Sequence, residues 1–128
     1  MTATLERYMT RHPHSIRLDE KVATAHKLMV LLGVRHLPVL DGGRLVGVLS
    51  ERDLKFASAD GRALAVSDVC IDEPYAVDVD TSVYVVATAM ADKKIGSTIV
   101  LEDGKLAGIF TAVDACRALA DALAPKDS

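Results

Sequence analysis

Two segments of the chain carry a hydroxyl residue followed three positions later by an aspartate: Ser50-x-x-Asp53 and Thr111-x-x-Asp114. Each follows an apolar run with a glycine in it, which predicts a strand that leads directly into a helix. The hydroxyl oxygen suits the N-cap, where it accepts from a backbone N–H. The aspartate falls in the first turn, where the helix dipole favours negative charge. These four residues are therefore the first candidates for polar chemistry.

Both segments occupy the same place in an internal repeat. Sliding the chain against itself by 61 residues pairs residues 13–55 with 74–116 without a gap, and ten of these 43 positions are identical. The turn glycines Gly43 and Gly104 and the two aspartates are among the identical positions. We therefore predict two tandem copies of one supersecondary unit.

Each copy is predicted to have the order strand, helix, strand, strand, helix. Its hydroxyl residue and its aspartate lie where the last strand leads into the last helix. In the first copy, Asp19 is expected to cap the first helix and Gly33 to end it. The predicted strands lie at 15–18, 37–40, 45–49, 75–79, 97–101 and 106–110. The later helices are predicted to begin at Ser50, at 80–82 and at Thr111, and short helical lead-ins are predicted at 5–10 and 66–71.

Composition fits one compact body, because half of the 128 residues are hydrophobic and can bury a core. We expect a cytoplasmic protein, since no signal peptide opens the chain and no apolar run approaches the length of a membrane span.

Cys70 and Cys116 lack the spacing of a redox or zinc motif, and His12 and His14 lack accompanying thiols or carboxylates. We expect no metal, no required cofactor and no enzymatic activity.

Charge is distributed unevenly along the chain. The net charge of −3 argues against bulk nucleic-acid binding. Residues 1–64 carry ten basic and seven acidic side chains, whereas residues 65–128 carry five basic and eleven acidic ones. An anion should therefore meet basic side chains of the first copy. The alternative is that the opposite charges help the two halves, or two chains, to pack together.

The segment RHLPVLDGGRLVGVLSERDL, preceded by MTRHP and matched by the second copy, resembles the paired cystathionine-beta-synthase domains, or CBS-domain pair. The resemblance covers nearly the whole chain, from about Leu5 to Leu123. It implies an α+β fold of two tandem β-α-β-β-α repeats, packed sheet to sheet with pseudo-two-fold symmetry. The repeats would span 5–58 and 66–124, joined by a linker at 59–65, in a stand-alone module.

This resemblance also implies a regulatory sensor that binds an adenosine-containing ligand, most often AMP, ADP or ATP, and that forms a homodimer. In such pairs the aspartate of the motif often holds the ribose hydroxyls, and the Ser or Thr assists at ribose or phosphate. The chemistry agrees, because a carboxylate accepts from both hydroxyls of a vicinal diol and a helix N-terminus offers N–H donors to phosphate. S-adenosylmethionine, NAD and cyclic dinucleotides present the same adenosine, so the ligand stays open.

The resemblance places two ligand clefts between the repeats. The preferred, phosphate-bearing cleft combines Thr10, His14, Ile16, Val34, Arg35, His36, Ile109, Thr111 and Asp114. The second cleft combines Ser50, Asp53, Ile71, Tyr75, Val77, Ile95, Gly96 and Ser97. Adenine would be walled by Val34, Val48, Ile95 and Ile109. The first cleft is preferred for phosphate because only it receives the basic pair Arg35 and His36.

Each of these assignments has an alternative. The aspartates can cap their helices without binding ribose, and Arg35 and His36 can be solvated residues at a strand edge. For the whole chain, the alternative is a ligand-independent dimerisation or interaction module that regulates a separately encoded protein partner. Neither a nucleic acid nor a membrane is expected as a partner.

Overall fold

The computed structural model describes residues 3–59 and 64–125 of the chain. Its elements in chain order are α1 (Leu5–Tyr8), β1 (Thr10–Arg11), β2 (Ile16–Arg17), α2 (Val22–Leu32), β3 (His36–Asp41), β4 (Arg44–Ser50), α3 (Glu51–Ala59), α4 (Val66–Val69), β5 (Ile71–Asp72), β6 (Ala76–Asp78), α5 (Val83–Lys93), β7 (Ser97–Glu102), β8 (Lys105–Thr111) and α6 (Ala112–Leu123). The fold is mixed α+β with two four-stranded sheets, which confirms the predicted class. Residues 60–63 of the predicted linker lie outside the described residues. In the described part of the chain, no helix has the length and apolar character needed to cross a bilayer.

The chain divides into two compact units that differ from the two sequence copies. The Ser50 unit spans residues 13–74 and contains the sheet β2-β3-β4-β5. The Thr111 unit joins the described residues up to His12 with those from Tyr75 onward, and it contains the sheet β1-β8-β7-β6. Each unit has its own sheet and its own buried apolar cluster.

Pairing of two very short strands explains this division. Strand β1 pairs antiparallel with β8, so that Thr10 lies opposite Ile109. Strand β5 pairs antiparallel with β4, so that Ile71 lies opposite Val48. The short strand that precedes each sequence copy therefore completes the sheet of the other copy. The N-terminal segment is in consequence part of the unit that carries Thr111.

Both predicted hairpins are present, and each turns at residues that tolerate positive φ. Gly42 and Gly43 have φ angles of 58° and 83° between β3 and β4. Asp103 and Gly104 have φ angles of 53° and 75° between β7 and β8. Glycine enters the left-handed region without strain, and aspartate is among the residues that tolerate it.

Helices pack on each sheet through equivalent apolar positions. Met29 of α2 and Met90 of α5 occupy equivalent positions of the repeat, and both are buried. The cluster of the Ser50 unit also contains Ile16, Ala25, Leu37, Val39, Leu49, Leu54 and Val66. The cluster of the Thr111 unit also contains Leu5, Met9, Val83, Val86, Val100 and Phe110. Full burial of one large aliphatic side chain is worth about 1.5–3 kcal/mol, so each cluster is a substantial source of stability.

The start of α2 differs from the prediction. The N-cap residue is Lys21, without a side-chain cap hydrogen bond, and Asp19 instead accepts a 2.8 Å hydrogen bond from Arg17. The expectation that Asp19 caps this helix is therefore wrong. The reason is tertiary: the Val22 N–H at the helix start donates to the Leu64 carbonyl at 2.9 Å. In α5, by contrast, the predicted cap is confirmed, because Ser82 Oγ accepts from the Val85 N–H at 3.2 Å.

Gly108 of β8 lets β1 approach closely. A Cβ atom at this position would lie 2.9 Å from the Thr10 carbonyl oxygen and 2.8 Å from Met9 Sδ. The sulfur belongs to a flexible side chain, but the carbonyl is backbone and part of the strand pairing. Glycine is therefore required where β1 joins the sheet of the Thr111 unit.

We expect Gly108→Ala to lower the free energy of unfolding by about 1–3 kcal/mol, because the added methyl group overpacks the contact with β1. Urea denaturation measures the change. Ser67→Thr, which adds one methyl group at an exposed position, is the control and should change stability by under about 0.5 kcal/mol. Equal stability of Gly108→Ala and the unaltered chain would contradict the close approach.

Candidate functional site

Ser50, the last residue of β4, and Asp53 of α3 bracket the start of the helix with three hydrogen bonds. The Ser50 N–H donates to Asp53 Oδ2 at 3.0 Å, and the Ser50 hydroxyl donates to the same oxygen at 2.8 Å. The Asp53 N–H donates to Ser50 Oγ at 3.2 Å. This reciprocal arrangement is a capping box, and we call it a bracket.

Thr111 and Asp114 form the same bracket at the start of α6. The Thr111 N–H and hydroxyl donate to Asp114 Oδ2 at 2.8 Å and 3.2 Å, and the Asp114 N–H donates to Thr111 Oγ1 at 3.5 Å. The predicted capping role of both hydroxyl residues is confirmed. We call the two strand–helix junctions the Ser50 end and the Thr111 end of their units.

One oxygen of each aspartate is left over by this geometry. Every hydrogen bond that the two carboxylates accept goes to Oδ2, and Oδ1 of Asp53 and of Asp114 has no hydrogen-bond partner among the described residues. Both aspartates are half-buried. A vicinal diol donates two hydrogen bonds to one carboxylate. Capping and ribose binding, which the sequence left as alternatives, are therefore compatible.

Charged side chains surround the Ser50 end. His36 of β3 lies opposite Ser50, and the carbonyl of the preceding Arg35 accepts from the Glu51 N–H at 2.8 Å. Glu51 forms an ion pair with Arg35 at 3.7 Å and another with Lys55 at 3.7 Å. Glu51 and Lys55 are four residues apart on α3, which is a spacing at which side chains of a helix can meet.

The Thr111 end has the same backbone frame without these charges. Ser97 lies opposite Thr111, and the Gly96 carbonyl accepts from the Ala112 N–H at 3.0 Å. Along the 61-residue offset, His14, Arg35, His36, Glu51, Arg52 and Lys55 become Tyr75, Gly96, Ser97, Ala112, Val113 and Cys116. Every charged or imidazole side chain in this set is therefore replaced by a neutral residue.

Of the preferred cleft, the structure brings together Thr10, Ile109, Thr111 and Asp114. Thr10 lies opposite Ile109 on β8, two residues before Thr111. The other predicted members lie in the Ser50 unit: His14, Ile16, Val34, Arg35 and His36. Among these, Arg35 and His36 adjoin the Ser50 end, and Ile16 is part of the apolar cluster.

The second predicted cleft divides in the same way. Ile71 pairs with Val48 on β4 and thus lies in the unit of Ser50 and Asp53. The remaining members lie in the Thr111 unit: Tyr75, Val77, Ile95, Gly96 and Ser97. Since both clefts combine residues of the two units, the clefts themselves stay predictions.

Sequence reasoning missed the contact between Arg35 and Glu51. The two residues are far apart along the chain, and their ion pair depends on how β3 and β4 pair. The available signal was the hairpin turn at Gly42 and Gly43, from which the pairing can be counted. A bulge between Val39 and Leu40 shifts that count by one residue.

His36 is a half-buried imidazole at the Ser50 end. Burial is the main influence and lowers its pKa below the ordinary histidine value. The Asp53 and Glu51 carboxylates oppose this effect and Arg35 adds to it, but the pKa remains lowered. The folded chain therefore favours neutral His36.

Within the described residues, no group of three or more histidine, cysteine, aspartate or glutamate side chains is placed to hold a metal ion. Neither cysteine forms a disulfide bond. The polar chemistry at the two ends is thus that of carboxylates, hydroxyls, backbone amides and, at the Ser50 end, cations.

Comparison with known sequences finds one family model that matches the chain twice, and several longer relatives. A model of the CBS domain matches residues 5–60 and 66–121. The inosine-5'-monophosphate dehydrogenase of Korarchaeum cryptofilum is 32% identical over 110 residues, which are 85% of this chain and 23% of that protein. The corresponding enzyme of Thermoplasma acidophilum is 28% identical over 113 residues, 85% of this chain and 22% of that protein. The chain thus spans about a quarter of the length of these curated relatives.

Solved structures match over nearly the full chain. CBSX2 of Arabidopsis thaliana, solved in complex with AMP, is 29% identical with a TM-score of 0.80, covering 94% of this chain and 98% of that one. The CBS domain pair of protein MJ0100, solved with 5'-methylthioadenosine and S-adenosyl-L-methionine, is 22% identical with a TM-score of 0.89, covering 95% and 99%. The second likeness shows the fold alone.

The lowered pKa of His36 predicts a pH-dependent stability. The unfolded chain binds the proton more tightly than the folded chain, so stability is full above about pH 6.5 and falls as the pH decreases below it. Urea denaturation at pH 5.5 and at pH 7.5 measures the difference in the free energy of unfolding between the two conditions. We expect this difference to shrink in His36→Gln. His14→Gln removes an exposed imidazole and should leave the difference in place. An unchanged difference in His36→Gln would contradict the assignment.

Proposed function

Because the chain belongs to the CBS domain family and carries two of these domains in tandem, we propose that it is a non-catalytic regulatory module that binds an adenosine-containing ligand. One observation carries the proposal. At both ends the aspartate uses a single carboxylate oxygen to cap its helix, and its other oxygen has no hydrogen-bond partner among the described residues. Such an oxygen is suited to the hydroxyls of a ribose.

The surroundings of each aspartate support the same ligand class. The start of a helix favours negative charge, so a phosphate attached to the ribose is accommodated there. Val48 of β4 and Ile95 are half-buried aliphatic residues in the two units, of the kind that can contact an adenine ring. AMP, ADP and ATP share the ribose and the adenine. Because Arg35 adjoins the Ser50 end, we assign their phosphates to this end rather than to the predicted cleft that combines Arg35 with Thr111 and Asp114.

The likeness to CBSX2 supports an adenine nucleotide in particular, because that protein was solved with AMP and is 29% identical over almost the whole chain. Regulation follows if the ligand prefers one arrangement of the protein over another. We propose that ligand binding changes how the chain packs in a homodimer or against a separate protein partner. The dehydrogenase activity of the longer relatives is not part of the proposal, since the chain spans only about a quarter of their length.

A second function, a ligand-independent interaction module, is favoured by one observation. Helix α6 exposes three large apolar side chains, Val113, Leu119 and Leu123, of which Leu123 is 73% exposed. Such a surface can pack against another chain. The two functions differ in one measurable property, which is the affinity for adenosine compounds.

Isothermal titration calorimetry with adenosine, AMP, ADP, ATP and S-adenosylmethionine tests the proposal. The affinities of the unaltered chain are compared with those of the Asp53→Asn and Asp114→Asn variants. Asparagine keeps one oxygen for the helix start but presents an NH2 group where the second oxygen would accept from ribose. Loss of hydrogen bonds to a charged group is worth about 1.5–3 kcal/mol, so we expect affinity at the altered end to fall roughly ten- to a hundredfold.

Ser82→Ala is the matched control, because it removes the cap of α5, a helix that carries neither aspartate. It should lower stability by about 1 kcal/mol and leave affinity unchanged. Full affinity in both asparagine variants would limit the aspartates to capping. Absence of any binding by the folded, ligand-free chain would favour the interaction module.

A further inference from the structure

Glu51 stands between two cations at the Ser50 end. Its Oε2 lies 3.7 Å from Arg35 Nε, and its Oε1 lies 3.7 Å from Lys55 Nζ. The side chains of Arg35 and Lys55 are 80% and 77% exposed, whereas that of Glu51 is 43% exposed. One partly covered carboxylate therefore engages two cations that extend into solvent.

Exposed ion pairs of this kind are weak and readily exchanged. Each changes an equilibrium by a factor of only about 1.5 to 5. A phosphate group carries more charge than a carboxylate and offers three acceptor oxygens, and a guanidinium binds it through two parallel hydrogen bonds. A phosphate that reaches this end can thus replace Glu51 as the partner of both cations.

The three charges are absent as a set from the Thr111 end. The positions equivalent to Arg35, Glu51 and Lys55 are Gly96, Ala112 and Cys116. Had Glu51 served only the helix start, where a carboxylate is favourable, it would be useful at both ends. Its occurrence together with the two cations connects it to them.

We propose that Glu51 is a specificity-determining residue of the Ser50 end, where it occupies Arg35 and Lys55 until the phosphate of a nucleotide displaces it. The inference rests on the proposed function, since it presumes that the ribose binds at Asp53. Its consequence is a difference between the ends: the Ser50 end distinguishes a nucleotide from an uncharged nucleoside, and the Thr111 end binds adenosine and AMP alike.

The experiment compares AMP with adenosine, which differ only in the phosphate. It is done in the Asp114→Asn chain, so that binding reports the Ser50 end. Glu51→Gln removes the competing carboxylate and frees both cations, so AMP affinity should rise about two- to tenfold while adenosine affinity stays the same. Arg35→Gln should lower AMP affinity and leave adenosine affinity unchanged.

Asp19→Asn is the control for net charge. It lies in the same unit, changes the charge by the same amount and breaks the 2.8 Å ion pair with Arg17. The affinity ratio of AMP to adenosine should not change in this variant. A fall or no change in AMP affinity in Glu51→Gln would overturn the proposal, because a residue that merely positions the cations would produce that result. Equal changes for both ligands would overturn it as well.

The proposed function and the role of Glu51 can fail separately. If adenosine binds and Asp53→Asn abolishes that binding, the proposed function holds at this end, and Glu51→Gln alone decides the inference. If neither ligand binds at the Ser50 end, or Asp53→Asn has no effect, the proposed function fails there and the role of Glu51 fails with it. Melting temperatures of all variants verify that each chain is folded.

Discussion

The reciprocal hydrogen bonds between a hydroxyl residue and an aspartate are the interaction on which both candidate ends depend. Ser50 with Asp53, and Thr111 with Asp114, join the last residue of a strand to the first turn of a helix. They satisfy backbone N–H groups that a helix start would otherwise leave unpaired. Because the bracket uses one carboxylate oxygen, the residue that holds the helix can also hold a ligand.

The two ends show how one frame can carry two chemistries. Backbone pairing and apolar burial determine the frame, and these are alike in both copies. The exposed side chains around the brackets determine the charge, and they differ: Arg35, Glu51 and Lys55 at one end, neutral residues at the other. Since exposed positions contribute little to stability, they can differ without a change of fold.

Most of the frame could be predicted, whereas the grouping of site residues could not. Turn glycines, caps and apolar periodicity located the hairpins and the longer helices within a few residues. The placement of His36 opposite Ser50 depends on a bulge between Val39 and Leu40, without which Arg35 would occupy that position. The mid-strand glycine Gly47 lies beside the bulge and is a residue type that often marks one, but whether and in which direction the register shifts depends on how the two strands fit together.

By itself, the sequence determined what acts over a few residues: the repeat, both capping boxes and the end of α2 at Gly33. Only the tertiary structure decided which sheet β1 and β5 join, that Leu64 rather than Asp19 serves the start of α2, and that Glu51 meets Arg35. The reason is physical. A two-residue strand is too short to show periodicity, and its partner lies far away along the chain. Such contacts form only once the folded chain brings the partners together.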